Sequence, residues 1–155
     1  MDSKQRLEEY LHRQIPLSAA MGVSVSFVSD QSVVLSAPLG PNINHKQTVF
    51  GGSASAVAIL AAWSLVHLRL EQAGRPSEIV IQANHMAYDK PMVEVFTATS
   101  RLVDETVWPA FVKTLARKKR ARLDVQSVLA SEGLICGRMT GSFVAFLRDR
   151  TQEPS

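Results

Sequence analysis

The chain has 155 residues, a formal net charge of +3, 46% hydrophobic residues and 20% charged ones. These values fit one globular domain with a sizeable core and give no general case for nucleic-acid binding. The single Cys136 excludes an internal disulfide, and the charged start from Met1 to Arg6 excludes a secretory apolar core, so a cytoplasmic protein is expected.

In chain order, Ser3 to Ile15 spaces Leu7, Tyr10, Leu11 and Ile15 as one face of a helix, with Ser3 as its cap and Pro16 as its stop. A short turn, Leu17 to Met21, leads to Gly22. Val23, Val25 and Phe27 then alternate with Ser24 and Ser26 as a half-buried strand. Asp30-Gln31 reverses the chain, and Val33 to Ala37 forms a second strand ended by Pro38.

The segment from Pro41 to about Leu70 has two unlike halves. Pro41 to Ser53 is a polar loop holding Asn42, Asn44, His45 and Thr48. Ala54 to Trp63 is apolar except for Ser55, which predicts a helix inside the fold rather than on its surface. The Thr48 hydroxyl is a candidate cap for that helix, and Gly51-Gly52 lets a partner approach its N-terminus. Counted to about Val66, the apolar run is short for a membrane span. Gly74-Arg75-Pro76 closes the helix.

Glu78 to Tyr88 alternates, with Ile79, Ile81, Ala83, His85 and Ala87 on one face and Val80, Gln82, Asn84, Met86 and Tyr88 on the other. Asp89-Lys90-Pro91 is a turn before a long strand from Met92 to Val103. In Asp104 to Lys119, Ala110 to Leu115 reads as a short helix or an irregular excursion. Ala121 to Ser131 and Leu134 to Leu147 are strands joined by the hairpin signal Glu132-Gly133. The expected division is an N-terminal helix over 1–15, one domain over 16–147 and a frayed tail over 148–155. The expected fold class is α+β, a six-stranded antiparallel sheet wrapped around one long apolar helix.

That order of elements resembles the hot-dog fold. Ala37-Pro38-Leu39-Gly40-Pro41-Asn42-Ile43-Asn44 followed by Thr48-Val49-Phe50-Gly51-Gly52-Ser53 resembles, more narrowly, a thioesterase family first recognised as the C-terminal domain of a bacterial acetyltransferase-like protein. The match runs from about Ile15 to Leu147. It implies an acyl-thioester hydrolase whose ligand is a thioester of coenzyme A or of acyl carrier protein. It also implies a homodimer, or a tetramer built from it, with the site between subunits. No cofactor, metal or nucleic-acid partner is expected.

Thioester hydrolysis needs an oxyanion stabiliser, an attacking water and a group that orients or deprotonates it. The backbone N–H groups near Gly51, Gly52 and Ser53 are the natural oxyanion donors; alternatively, the glycine pair only lets the helix pack. Asn42 and Asn44 either hold a water or carbonyl or serve the turn as Asx residues, and His45 is the one neutral-pH base in the loop. Ser53 lacks the nucleophile-elbow pattern, since Ser55 stands where a glycine is needed. Thr48, Phe50 and Gly51 are expected to line the substrate site; Tyr88 or His85 either reaches a partner's pocket or serves core or interface packing. The basic run containing Lys118, Lys119 and Arg120 either grips phosphates or an acidic carrier protein, or is a solvated strand end.

Many hot-dog thioesterases carry a carboxylate on the central helix, and none lies between Ser53 and Leu70 here. Asp89 is the nearest substitute. Two other readings stand beside hydrolysis. One is an acyl-thioester sensor without turnover. The other is a hydratase or dehydratase, which Gly40-Pro41-Asn42-Ile43-Asn44-His45 resembles only superficially, because Gly40 replaces the required acid.

Overall fold

The computed structural model describes residues 2–149. Helix α1 (Ser3–Gln14) starts one residue earlier than expected. Asp2, not Ser3, is its cap, accepting from Gln5 N–H while the Gln5 side chain answers the Asp2 backbone in a capping box. Pro16 does not simply stop that helix. It occupies the first turn of a second, short one, α2 (Pro16–Ala20), where its fixed φ is favourable and its missing N–H costs nothing.

The strands are β1 (Ser24–Val28), β2 (Val33–Ala37), β3 (Ser77–Tyr88), β4 (Phe96–Leu102), β5 (Arg120–Ser131) and β6 (Leu134–Leu147). They form one six-stranded sheet in the order β1-β2-β4-β5-β6-β3, with every pairing antiparallel. β4 is shorter than expected, because Met92 to Val95 approach the sheet as a loop. The Asp104–Lys119 stretch resolves into a 3-10 turn (Glu105–Val107) and a full helix, α4 (Trp108–Lys118), with Pro109 in its first turn and Phe111 and Leu115 buried. Glu132 (φ 52°) and Gly133 (φ 76°) both take left-handed angles, the pair that a two-residue antiparallel hairpin requires.

Helix α3 (Gly51–Gln72) lies in the curl of the sheet and packs against β2 to β6. Val57, Ala58, Ala61, Ala62, Leu65 and Val66 are all fully buried against Leu35, Phe96, Val125, Leu129 and Phe143. The arrangement is the hot-dog fold. The helix has 22 residues, so by length and composition it could cross a membrane, but it forms the core of the sheet. One stripe, Ala56, Ile59, Trp63 and His67, stays half-buried beyond the sheet. There Tyr10 of α1 stacks on the His67 ring at 4.7 Å and His67 on Trp63 at 4.9 Å.

The sheet has two unlike edges. At β1, the α1 carboxylate of Glu8 accepts from Val25 N–H at 2.8 Å, and His12 bonds the Val23 carbonyl. At β3, no described element covers the outer edge, and Gln82, Ala83, Asn84 and His85 are exposed. A bulge between Ile81 and Ala83 breaks the expected alternation of this strand. Directly opposed residues share a face: Ile79 and Ile81 oppose Ala145 and Phe143, whereas Asn84, Met86 and Tyr88 oppose Gly141, Met139 and Gly137. Asn84, Met86 and Tyr88 therefore share the helix side with Ile79 and Ile81, and Ala83, His85 and Ala87 turn to the outer face. The sequence pattern had the two halves of the strand on one unbroken register. Of the expected frayed tail, 150–155 lies outside the described residues, and Arg148 N–H donates to the Pro76 carbonyl.

Candidate active site

The loop between β2 and α3 begins with a 3-10 turn over Gly40–Asn42 and closes on itself through an Ile43–Val49 bridge. Asn44 holds that closure. Its side-chain oxygen accepts from Lys46 and Thr48 N–H at 2.9 and 3.1 Å, and its amide nitrogen donates to the Thr48 hydroxyl at 2.9 Å. This is Asx-turn chemistry, one of the two readings open for that residue. His45 sits exposed at the tip of the same turn.

Asn42 is buried at 2% exposure, and its amide nitrogen donates to the carbonyls of Met21 and Pro38, both at 2.8 Å. Its backbone carbonyl accepts from Phe50 N–H at 2.7 Å, and Val49 N–H donates to the Met92 carbonyl at 2.8 Å. These bonds fix where α3 starts. The Asn42 Oδ1 is buried with no hydrogen-bond partner, a cost of about 1–3 kcal/mol.

Phe50 is the N-cap residue of α3, and no side chain caps the helix. The expected Thr48 cap is therefore not formed, because the hydroxyl is held by Asn44. The N–H groups of Gly51, Gly52 and Ser53 find no acceptor among the described residues. Three orphan donors at the positive end of a long helix form a ready site for developing negative charge.

Two aromatic rings flank those donors. A Cβ at Gly52 would come within 2.3 Å of the Phe50 ring, so only glycine fits beneath the ring as it stands. A Cβ at Gly51 would meet the Tyr88 ring at 3.4 Å, and the Tyr88 hydroxyl donates to the Gly51 carbonyl at 3.1 Å. Beside them opens a cleft of about 260 Å³, lined by residues of α3, the end of β3, the turn after it, β5 and β6. Its walls include Ala54, Met92, Leu129 and Cys136 on the apolar side and Asp89 and Lys90 on the polar side.

Gly51 and Tyr88, both expected at the site, line this cleft, and Phe50, Gly52 and Ser53 stand at its helix end. Ser53 has no histidine or carboxylate hydrogen-bonded to it among the described residues. His85 lies on the outer face of the sheet, opposite Thr140. Lys118, Lys119 and Arg120 lie elsewhere. Lys119 (φ 65°) caps α4 in the left-handed region, and Arg120 opens β5, nine residues before the cleft residue Leu129. At about 3.3 Å per residue, roughly 30 Å of strand separates them within one chain. Met92, Leu129, Lys90 and Cys136 were not expected at the site. They reach it through pairing between distant strands, which leaves no local signal.

A family model described as putative thioesterase (yiiD_Cterm) matches residues 4–147. The chain is 28% identical to a putative thioesterase from Shewanella oneidensis, over 92% of this chain and 96% of that one, with a TM-score of 0.82. It is 25% identical to a protein of unknown function from Chlorobaculum tepidum TLS, over 94% of both chains, with a TM-score of 0.87. A thioesterase from Haemophilus influenzae, 14% identical with a TM-score of 0.76 over 97% of this chain and 95% of that one, shows the shared fold alone.

Proposed function

The chain belongs to the putative thioesterase family, and from that premise we propose that it hydrolyses acyl thioesters of coenzyme A or of acyl carrier protein. The observation that carries this reading is the set of free N–H groups at Gly51, Gly52 and Ser53 opening beside the cleft. A thioester carbonyl placed there gains negative charge when water adds to it, and fixed donors stabilise that charge without reorganising. The acyl chain runs along the apolar wall of Met92 and Leu129. The reaction draws on water and the protein's own groups, with no added cofactor.

The working unit is a homodimer paired through β3. That strand supports this reading because its edge is long and uncovered, and a free edge invites pairing with a second copy. A two-fold axis near the middle of β3 sets Tyr88 of one chain opposite the start of β3 in the other. Glu78 there is in register with Phe146 and Arg120. The basic run of the second copy then lies about three strand spacings, roughly 15 Å, from the cleft, within reach of the nucleotide phosphates of coenzyme A.

A second reading, a sensor that binds without turnover, is favoured by the absence of any carboxylate on α3 before Glu71. Thiol release from acetyl-, octanoyl- and palmitoyl-coenzyme A and from octanoyl-acyl carrier protein, followed with a thiol reagent, separates the two. Hydrolysis predicts catalytic release from at least one of them. Tight binding with no release from any supports the sensor.

A further inference from the structure

A water molecule attacking at the α3 N-terminus must lose a proton, and α3 carries no carboxylate before Glu71 to take it. None of the four histidines is placed to do so. His12 is engaged with the Val23 carbonyl on the N-terminal side of the fold. His67 packs on both Tyr10 and Trp63, near the far end of α3. His85 is on the outer face, and His45 is at the loop tip; neither lines the cleft.

Among the residues that do line it, Asp89 is the one carboxylate. It comes directly after Tyr88, whose hydroxyl touches the first-turn carbonyl of Gly51, so the acid stands one residue from a contact with the oxyanion site. Its position is held from the other side as well. Asp89 N–H and Lys90 N–H both donate to the Cys136 carbonyl, at 2.9 and 3.0 Å, and the ring of Pro91 stiffens the chain on the C-terminal side of the turn. Gly137 makes that docking possible, since a Cβ there would stand 2.8 Å from the Ala87 carbonyl oxygen. Asp89 thus sits on a turn pinned to β6 and lines the same cleft as Gly51.

We propose that Asp89 is the general base of this site; the inference rests on the hydrolase reading above. Its carboxylate takes a proton from water as the water oxygen bonds to the thioester carbonyl carbon. The carbonyl electron pair moves to oxygen and is held by the N–H groups of Gly51, Gly52 and Ser53. When the tetrahedral species collapses, the C–S bond breaks, the sulfur leaves with the electron pair, and Asp89 returns its proton to the thiolate. The products are the free acid and the free thiol, with the carboxylate regenerated. Position replaces the missing helix acid: the base comes from the strand turn across the cleft.

The test compares the full-length wild type with Asp89→Asn, Asp89→Glu and, as a control outside the cleft, Glu94→Gln. The readouts are thiol release from the three coenzyme A thioesters and binding of the thioether S-octyl-coenzyme A. Asp89→Asn is expected to lose about a hundredfold or more in kcat, to bind the thioether within a fewfold of wild type, and to lack the acid limb of the wild-type pH–rate profile. Asp89→Glu recovers part of the rate, and Glu94→Gln matches wild type. A wild type that turns over while Asp89→Asn stays within threefold of it overturns the role of Asp89 alone. A wild type that releases no thiol from these thioesters or from octanoyl-acyl carrier protein overturns this role together with the hydrolase reading.

Discussion

The two ends of α3 are treated in opposite ways. At the C-terminal end the carbonyls of Arg69, Leu70 and Glu71 are all taken up by the chain that follows. Ala73 N–H donates to the Arg69 carbonyl, Gly74 N–H to Glu71 and Arg75 N–H to Leu70, with Gly74 at φ 68° ending the helix in the left-handed region. The Arg69 guanidinium pairs with Glu105 and lies 4.2 Å from the centre of the Trp108 ring, and His67 is held in the Tyr10–Trp63 stack. At the N-terminal end, three N–H groups have no partner among the described residues, no side chain caps them, and a cleft opens beside them. One helix thus uses its C-terminal end for stability and leaves its N-terminal end unsatisfied, where a ligand can complete it.

That contrast predicts that changes at the first end move stability and changes at the second move turnover. The largest effect is expected at Gly51. Proline suits the first helical position, and Phe50 before it already holds φ −59° and ψ 133°, the extended region that a following proline demands. Gly51→Pro therefore deletes one oxyanion donor with little strain. It should lower kcat about 10²–10³-fold while the thermal midpoint stays near wild type. A large fall in the midpoint with turnover retained would reverse the assignment of the two ends.

A smaller effect is expected at His67. Burial, with the Arg148 charge adding to it, holds its pKa down at about 4 against an ordinary 6.5. The folded protein thus favours the neutral ring. The stabilisation is complete above the unfolded value and is lost as pH falls from about 6.5 towards 4. This group should make the protein about 2 kcal/mol less stable at pH 5 than at pH 7. In His67→Phe, which keeps a ring in the stack, urea unfolding at the two values should show that slope reduced while turnover at pH 7 is unchanged.

How much of this was legible in the sequence depended on whether partners were near in the chain. Glu132-Gly133 specified its hairpin, and β6 runs from Leu134 to Leu147 as the alternation requires, because both signals are local. The Asx turn at Asn44 was legible as one of two readings, since its partners Lys46 and Thr48 lie within four residues. Asn42 was not, because beside the nearby Pro38 carbonyl its amide donates to that of Met21, 21 residues back, and nothing local marks that carbonyl as buried. The bulge at Gln82 was hidden for a related reason. Residues 82–85 are exposed on an edge strand, so no burial pattern reveals the change of face that brings Tyr88 over Gly51.

Backbone amides followed in solution can decide whether the N-terminus of α3 receives the thioester oxyanion. A trifluoromethyl ketone analogue of an acyl-coenzyme A presents a stable oxyanion mimic, and its titration can be read from the 15N–1H resonances of Gly51, Gly52 and Ser53. These three amides are expected to show the largest downfield shifts in the spectrum, as donors that had no acceptor gain one. If the analogue binds and these three stay silent while amides elsewhere respond, the oxyanion is held somewhere else and the assignment of this helix end is contradicted.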